Sequence, residues 1–228
     1  MTRAGATAPS VTIHYAQTLD GRIAARDGTS RWISGEASLR FAHELRAAHD
    51  AVMVGVGTIV ADDPRLTVRL VPGRSPLRVI IDSTLRLPLS SHVASDGAAM
   101  TLVATTSRAD PARAAALMER EIEVLRVDAS DDGRVALPVL LSALAERGIA
   151  SVLLEGGRSL ITSALRDGVA DRLVVCVAPK ILGTGIEAVG DIGTGRLDDA
   201  LVFERVTTWR CGDDLIVDGT LQRVAAGV

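Results

Sequence analysis

Ser151-Val152-Leu153-Leu154-Glu155-Gly156-Gly157-Arg158-Ser159-Leu160 runs from apolar residues into an acid, a pair of glycines and the start of an amphipathic stretch. An unbroken apolar run is what a strand buried on both faces needs, as in a parallel sheet. Glycines at its end let a ligand approach the main chain, and the first turn of a following helix offers N–H groups to an anion. The pattern recurs upstream: Ala51-Val52-Met53-Val54 leads into Gly55-Val56-Gly57-Thr58, and Val79-Ile80-Ile81 leads into Asp82-Ser83-Thr84-Leu85-Arg86. Strand ends that carry small, polar or cationic residues predict one extended, multiply charged ligand lying across a sheet edge.

Working outward, residues 11–16 read as a first strand, and residues 18–24 as a turn onto a loop that continues through Ser30. Ser34 is the expected N-cap of a helix in which Leu39, Ala42, Leu45 and Ala48 recur at helical spacing. Further strands are expected at residues 51–55, 77–82, 101–105, 122–126, 151–155 and 172–178. Helices are expected from Asp110-Pro111 through Met118, from Pro138 to Arg147 and from Ser159 to Leu165. Residues 200–210 and 214–221 read as an antiparallel pair joined at Cys211-Gly212-Asp213. Strands alternating with helices imply an α/β sandwich, and the final hairpin makes its sheet mixed. One domain over residues 11–228 is expected after a loose tail at 1–10, with residues 84–99 and 183–195 as mobile or interface segments.

The chain has 228 residues, 47% of them hydrophobic but only 2% aromatic, so its interior must be built from Val, Leu, Ile and Ala. A net charge of −3 with both signs interspersed gives no basic stripe for nucleic acid or anionic lipid. No stretch approaches the roughly 18 apolar residues of a membrane helix, and the N-terminus lacks the apolar core of a signal peptide. Cys176 and Cys211, the only cysteines, are expected as buried thiols in a reducing cytoplasm.

Several segments carry a resemblance: residues 18–21, Ser30-Arg31-Trp32-Ile33-Ser34, Leu45-Arg46-Ala47, residues 50–58, Ala61-Asp62-Asp63-Pro64-Arg65-Leu66-Thr67-Val68-Arg69, residues 76–88, residues 154–157 and Ala178-Pro179-Lys180-Ile181-Leu182-Gly183. Their order and spacing resemble the reductase of riboflavin biosynthesis and, more distantly, dihydrofolate reductase. The resemblance implies a dihydrofolate-reductase-like α/β fold: a mixed, mostly parallel sheet flanked by helices on both faces, with a C-terminal antiparallel hairpin. It implies reduction of the ribosyl group of an aminopyrimidine 5′-phosphate by NADPH in a homodimer. Bacterial relatives are often fused to a zinc deaminase, which needs His-x-Glu and Pro-Cys-x-x-Cys. His43 is followed directly by Glu44 and neither cysteine belongs to such a pair, so no metal is expected and the chain reads as a stand-alone reductase.

By the same resemblance Ala16, Trp32, Gly55, Gly57, Thr58 and Asp62 fall on cofactor-contacting positions, together with the turn formed by Gly156, Gly157, Arg158, Ser159, Leu160 and Ile161. Ser83 matches a position near the adenosine 2′-phosphate, and Arg86 adds a cation there. Ser30, Arg46 and Arg69 match substrate positions, the arginines suiting a 5′-phosphate, with Leu66 packed on the ring or sugar. Glu155 would accept the pyrimidine N–H groups, since an acid ending an apolar strand must find donors. Asp20 is placed beside the nicotinamide, and Glu155 and Asp20 are the candidate catalytic groups. His14 faces either the ribityl hydroxyls or its own sheet. Bland readings stand beside these: Arg46, Arg69 and Arg86 as solvated arginines, Trp32 as core, Asp20 as the cap of its own turn.

Hydride delivery needs mainly alignment of nicotinamide C4 with C1′ of a ring-opened imine. The competing enzymatic reading is a reductase of a pterin, a folate or a specialised metabolite. A competing reading of another class is a non-catalytic NADP-binding module or structural dimer.

Overall fold

A computed structural model describes residues 8–222. In chain order its elements begin with strands β1 (Ser10–Thr18) and β2 (Arg22–Ala25), helix α1 (Glu36–Ala47), strand β3 (Ala51–Gly55), helix α2 (Val56–Asp62) and strand β4 (Leu77–Ile81). Helix α3 (His92–Ser95), β5 (Thr101–Thr105), α4 (Pro111–Met118), β6 (Glu123–Arg126), α5 (Leu137–Glu146), β7 (Ser151–Leu154) and α6 (Arg158–Arg166) follow. The chain continues through β8 (Arg172–Ala178), β9 (Gly185–Glu187), a 3-10 turn at Leu197–Asp199, β10 (Phe203–Cys211) and β11 (Asp214–Leu221). Two compact units are distinguished among the described residues: one holds residues 8–10 and 43–153, the other residues 11–42 and 154–222. The expected tail at 1–10 lies mostly outside the described residues, and Ser10 already belongs to β1.

In the first unit β3, β4, β5 and β6 pair parallel in that order, with Val52 opposite Arg78 and Ile80 opposite Val103. Every residue from Ala51 to Val54 and from Thr101 to Thr105 is buried, the two-sided burial that parallel strands require. Leu85, Leu87 and Val93 join Val52, Ile80 and Val103 in the core, so the segment 84–99, expected to be mobile or at an interface, is anchored to the core at these side chains. Arg113 tightens that segment by donating to the carbonyls of Leu85 at 3.0 Å and Leu87 at 2.7 Å. Two helices were not expected, α2 and α3. Helix α2 forms where a glycine-rich turn was read: Val56 and Ile59 are both buried, and Asp63 ends the helix in the left-handed region, its N–H returning to the Ile59 carbonyl. The Asp110-Pro111 start of α4 forms as expected, Asp110 accepting from the N–H of Ala112.

A buried charge also braces this unit. Arg78 is 1% exposed and donates to Asp96 at 2.8 Å, to the Thr101 hydroxyl at 2.9 Å and to the Arg65 carbonyl at 3.3 Å. Its Nη2 also donates to the Ala99 carbonyl. A guanidinium withdrawn from water is tolerable only with this degree of pairing.

In the second unit β1 runs parallel to β8, while β8–β11 and β11–β10 are antiparallel. Strand β8 therefore lies between β1 and β11, and β10 of the terminal hairpin forms the edge. Residues 18–30 are not only loop, because β2 pairs with β9 across more than a hundred residues of chain. Ser34 does not cap α1: the Gly35 carbonyl receives the Leu39 N–H, and Asp214 of the terminal hairpin accepts from the Gly35 N–H at 2.8 Å and the Ser38 hydroxyl at 2.6 Å. A remote carboxylate thus does at the helix start what a local serine was expected to do. Burial pushes the Cys176 thiol up to about 12, whereas Cys211 is only half-buried.

Candidate active site

In the first unit the last turn of α1 carries Arg46 beside the segment 63–69. Arg46 donates to the Thr67 carbonyl at 3.3 Å, and Arg69 donates to the Thr67 hydroxyl at 3.1 Å. The buried His43 lies on the same helix one turn before Arg46; its Nδ1 accepts the main-chain N–H of Arg69 at 2.9 Å. The Arg69 guanidinium is lowered from its ordinary value, first by desolvation and then by the positive charges of Arg46 and Arg65. Neighbouring guanidiniums of this kind suit an anion as a shared partner. The segment that carries Arg65 and Arg69 is strained: Asp63 has φ 42 and Leu66 has φ 53, a conformation that costs a leucine about 1–2 kcal/mol. It persists because Leu66 is buried in the core and Arg78 holds the Arg65 carbonyl.

At the carboxyl ends of the neighbouring strands β3 and β4 lie two more predicted groups. Gly55 precedes α2 with φ −77, and neither it nor Gly57 has a positive φ or any atom within 4 Å of where a Cβ would stand. Neither backbone strain nor packing within the protein requires glycine at these positions, which leaves space for something outside the chain. After β4, the Ser83 hydroxyl accepts from the Val135 N–H at 3.1 Å and keeps its own proton to donate. Arg86 is 71% exposed, with Nε 3.9 Å from the buried Asp82 carboxylate, whose pKa burial raises.

In the second unit Asp20 closes the turn between β1 and β2. Its carboxylate accepts from the Thr18 hydroxyl at 2.6 Å, from the Leu182 N–H at 3.1 Å and from the Gly183 N–H at 2.7 Å. The Thr18 hydroxyl and those amides hold it down at about 2. Lys180 donates to the carbonyls of Trp32 at 2.7 Å and Ile33 at 2.8 Å, and the Trp32 side chain is 65% exposed, not core. Glu155 and Gly156 are half-buried between β7 and α6; a Cβ on Gly156 would stand 2.9 Å from Leu160. Gly157 is the N-cap of α6, Arg158 pairs with Glu187 at 3.5 Å, and Leu160 and Ile161 are buried.

Residues 9–217 match the RibD C-terminal domain. The chain belongs to that family. Among curated relatives it is 42% identical over 220 residues to the 2,5-diamino-6-ribosylamino-4(3H)-pyrimidinone 5′-phosphate reductase of Methanothermobacter thermautotrophicus, covering 94% of this chain and 99% of that one. It is 38% identical over 210 residues to the riboflavin biosynthesis protein RibD of Aquifex aeolicus, covering 92% of this chain and 57% of that protein. The chain thus spans little more than half of the RibD protein it resembles. Among solved structures, the riboflavin biosynthesis reductase Rib7 of Saccharomyces cerevisiae superposes with a TM-score of 0.76 at 25% identity, covering 97% of this chain and 93% of that one. The fold is dihydrofolate-reductase-like: the Enterococcus faecalis enzyme superposes with a TM-score of 0.50 at 12% identity over 93% of this chain and 96% of that one. RibD C-terminal domains form a reductase family that uses a nicotinamide cofactor. Among the described residues no helix is long and apolar enough to cross a membrane.

Set on this RibD-type fold, the predicted residues sort by unit. Arg46 and Arg69 meet at Thr67, and Gly55, Gly57, Thr58 and Asp62 share α2 and its entry. Gly156 to Ile161 share one turn, in which Leu160 and Ile161 have only main chain to offer a ligand because their side chains are buried. Leu66 belongs to the core cluster. His14 is buried, with Nδ1 2.9 Å from the Val174 carbonyl and its ring edge-on to Phe41, while Ala16 lies on β1 opposite Cys176 and Ser30 is half-buried before α1. Sequence reasoning missed His43, Thr67 and Lys180 as site residues. Only the spacing of His43 one helical turn from Arg46 signalled the first of them.

Proposed function

We infer that this chain is an NADPH-dependent reductase that converts the ribosyl group of a diamino- or aminopyrimidinone 5′-phosphate to ribityl in riboflavin biosynthesis. The observation that carries the reading is the convergence of Arg46 and Arg69 at Thr67, an arrangement suited to a phosphate dianion. The open space over Gly55 and Gly57 fits a dinucleotide whose pyrophosphate approaches the main chain there, with Thr58 alongside. In this reading Asp62, Ala16, Trp32 and the main chain of Gly156 to Ile161 complete the cofactor contacts, and Ser83 with Arg86 favours NADPH over NADH. When bound, the reduced nicotinamide supplies a hydride to C1′ of the ring-opened imine, and a proton completes the amine.

The chain's own groups orient and hold. Arg46, Arg69 and Ser30 grip the sugar phosphate, and Glu155 accepts the pyrimidine N–H groups. Asp20, an anion down to about pH 2, serves as an acceptor that anchors Leu182 and Gly183, not as a proton donor at neutral pH. A homodimer is part of this reading; the exposed edge β10 supports it, and sedimentation tests it.

The deciding experiment follows oxidation of NADPH by the purified protein with the phosphorylated ribosylaminopyrimidine and with its dephosphorylated counterpart. Turnover with a much lower KM for the phosphorylated compound is expected. Brisk turnover of a pterin or folate with none of the pyrimidine would replace the substrate, and binding of NADPH without oxidation by any of these would remove the enzyme.

A further inference from the structure

We propose that His43 is the positioning residue of the phosphate subsite, setting Arg69 and Arg46 in place through its two ring nitrogens; this rests on the phosphate reading of those arginines. The main-chain N–H of Arg69 can only donate, so Nδ1, 2.9 Å away, must be the bare nitrogen. The neutral ring then carries its proton on Nε2. Arg46 Nη1 stands 3.5 Å from Nε2, and both nitrogens bear hydrogen, so this contact is a spacer and not a bond. Arg46 takes its orientation from the Thr67 carbonyl, and the imidazole sets how near it lies to the segment bearing Arg69.

The ring is thereby locked in one tautomer. Burial gives the lock its stiffness: His43 is 4% exposed and Thr67 is also 4% exposed, so neither can swing out to solvent without opening the core.

The test compares three His43 variants with Arg69→Ala. His43→Asn places an acceptor where Nδ1 stands, His43→Gln places an amide where Nε2 stands and lacks the first acceptor, and His43→Leu keeps bulk alone. The readouts are KM for the phosphorylated pyrimidine, KM for NADPH, kcat, and competitive inhibition by ribose 5-phosphate. His43→Gln and His43→Leu should raise the substrate KM and the ribose 5-phosphate inhibition constant about tenfold, with KM for NADPH within about twofold. His43→Asn should recover most of the loss, a rescue that general destabilisation does not produce.

Unchanged constants in His43→Gln, an equal rise in both KM values, or an asparagine no better than glutamine would overturn the proposal. If Arg69→Ala weakens ribose 5-phosphate while the His43 variants do not, only the positioning role falls. If Arg69→Ala is itself silent, the phosphate reading falls with it. Should the leucine variant fail to fold, the asparagine and glutamine pair still decides.

Discussion

Replacing Gly57 by alanine should make the protein more stable and a poorer binder of its cofactor. Gly57 sits in the first turn of α2 with an ordinary φ, and a Cβ there would meet no atom of the protein within 4 Å. The methyl group therefore creates no clash inside the fold, and the substitution acts on the unfolded chain, where alanine has less freedom to lose. A compatible Gly→Ala change stabilises by about 0.4–1 kcal/mol, which in a protein of this size raises Tm by roughly 1–4 °C. The same methyl fills the space that the pyrophosphate is proposed to occupy, and overpacking of a close contact costs about 1–3 kcal/mol. NADPH affinity should fall at least about fivefold. The assay pairs thermal melts of the ligand-free variant with titration of NADPH by fluorescence, and with the melt shift NADPH produces. A lower ligand-free Tm would show that the fold itself needs this glycine. An unchanged NADPH affinity would show that the space over α2 is not the cofactor's.

Other perturbations probe different groups. Ser83→Asp should weaken NADPH relative to NADH by about tenfold through like charge near the 2′-phosphate, while still accepting the Val135 N–H; equal effects on both cofactors would refute the assignment. Arg78→Met should destabilise by about 3–5 kcal/mol, because Asp96 is left without its buried partner; a urea midpoint within error of the parent's would contradict that. Asp20 has a carboxyl held at about 2, below its ordinary value, so its stabilisation is present above about pH 4 and is lost as pH falls towards 2. Between pH 5 and 9 its anchoring of Leu182 and Gly183 should not titrate, whereas Asp20→Asn should speed hydrogen exchange at those two amides at every pH in that range.

What the sequence displayed and what it hid differ in physical kind. Residues 51–55, 101–105 and 172–178 were readable as strands because burial on both faces demands unbroken apolar runs, and α4 was readable because Asp110-Pro111 is a local start signal. Strands β2 and β9 were not, since a short ladder between Arg22–Ala25 and Gly185–Glu187 is specified by partners far apart in the chain. Helix α2 was hidden by Gly57 in its first turn and Gly55 before it, since glycine lowers helix propensity although Val56 and Ile59 are anchored in the core.

The candidate site obeys the same division. Arg46 and Arg69 were identified by resemblance alone, because nothing periodic distinguishes a phosphate-binding arginine from a solvated one. What distinguishes them is the fixed acceptor each one faces: Thr67 for both guanidiniums, remote in sequence from Arg46 though a near neighbour of Arg69, and the remote His43 for the Arg69 main chain. Asp20 reaching Leu182 and Gly183, and Lys180 reaching Trp32 and Ile33, repeat the device in the second unit. Apolar periodicity reports which faces are buried, but a polar site is preorganised by long-range bonds between side chains and main chain. Such bonds leave no local pattern, so the positioning residues emerge only when the ring nitrogens, carbonyls and amides are assigned their partners one by one.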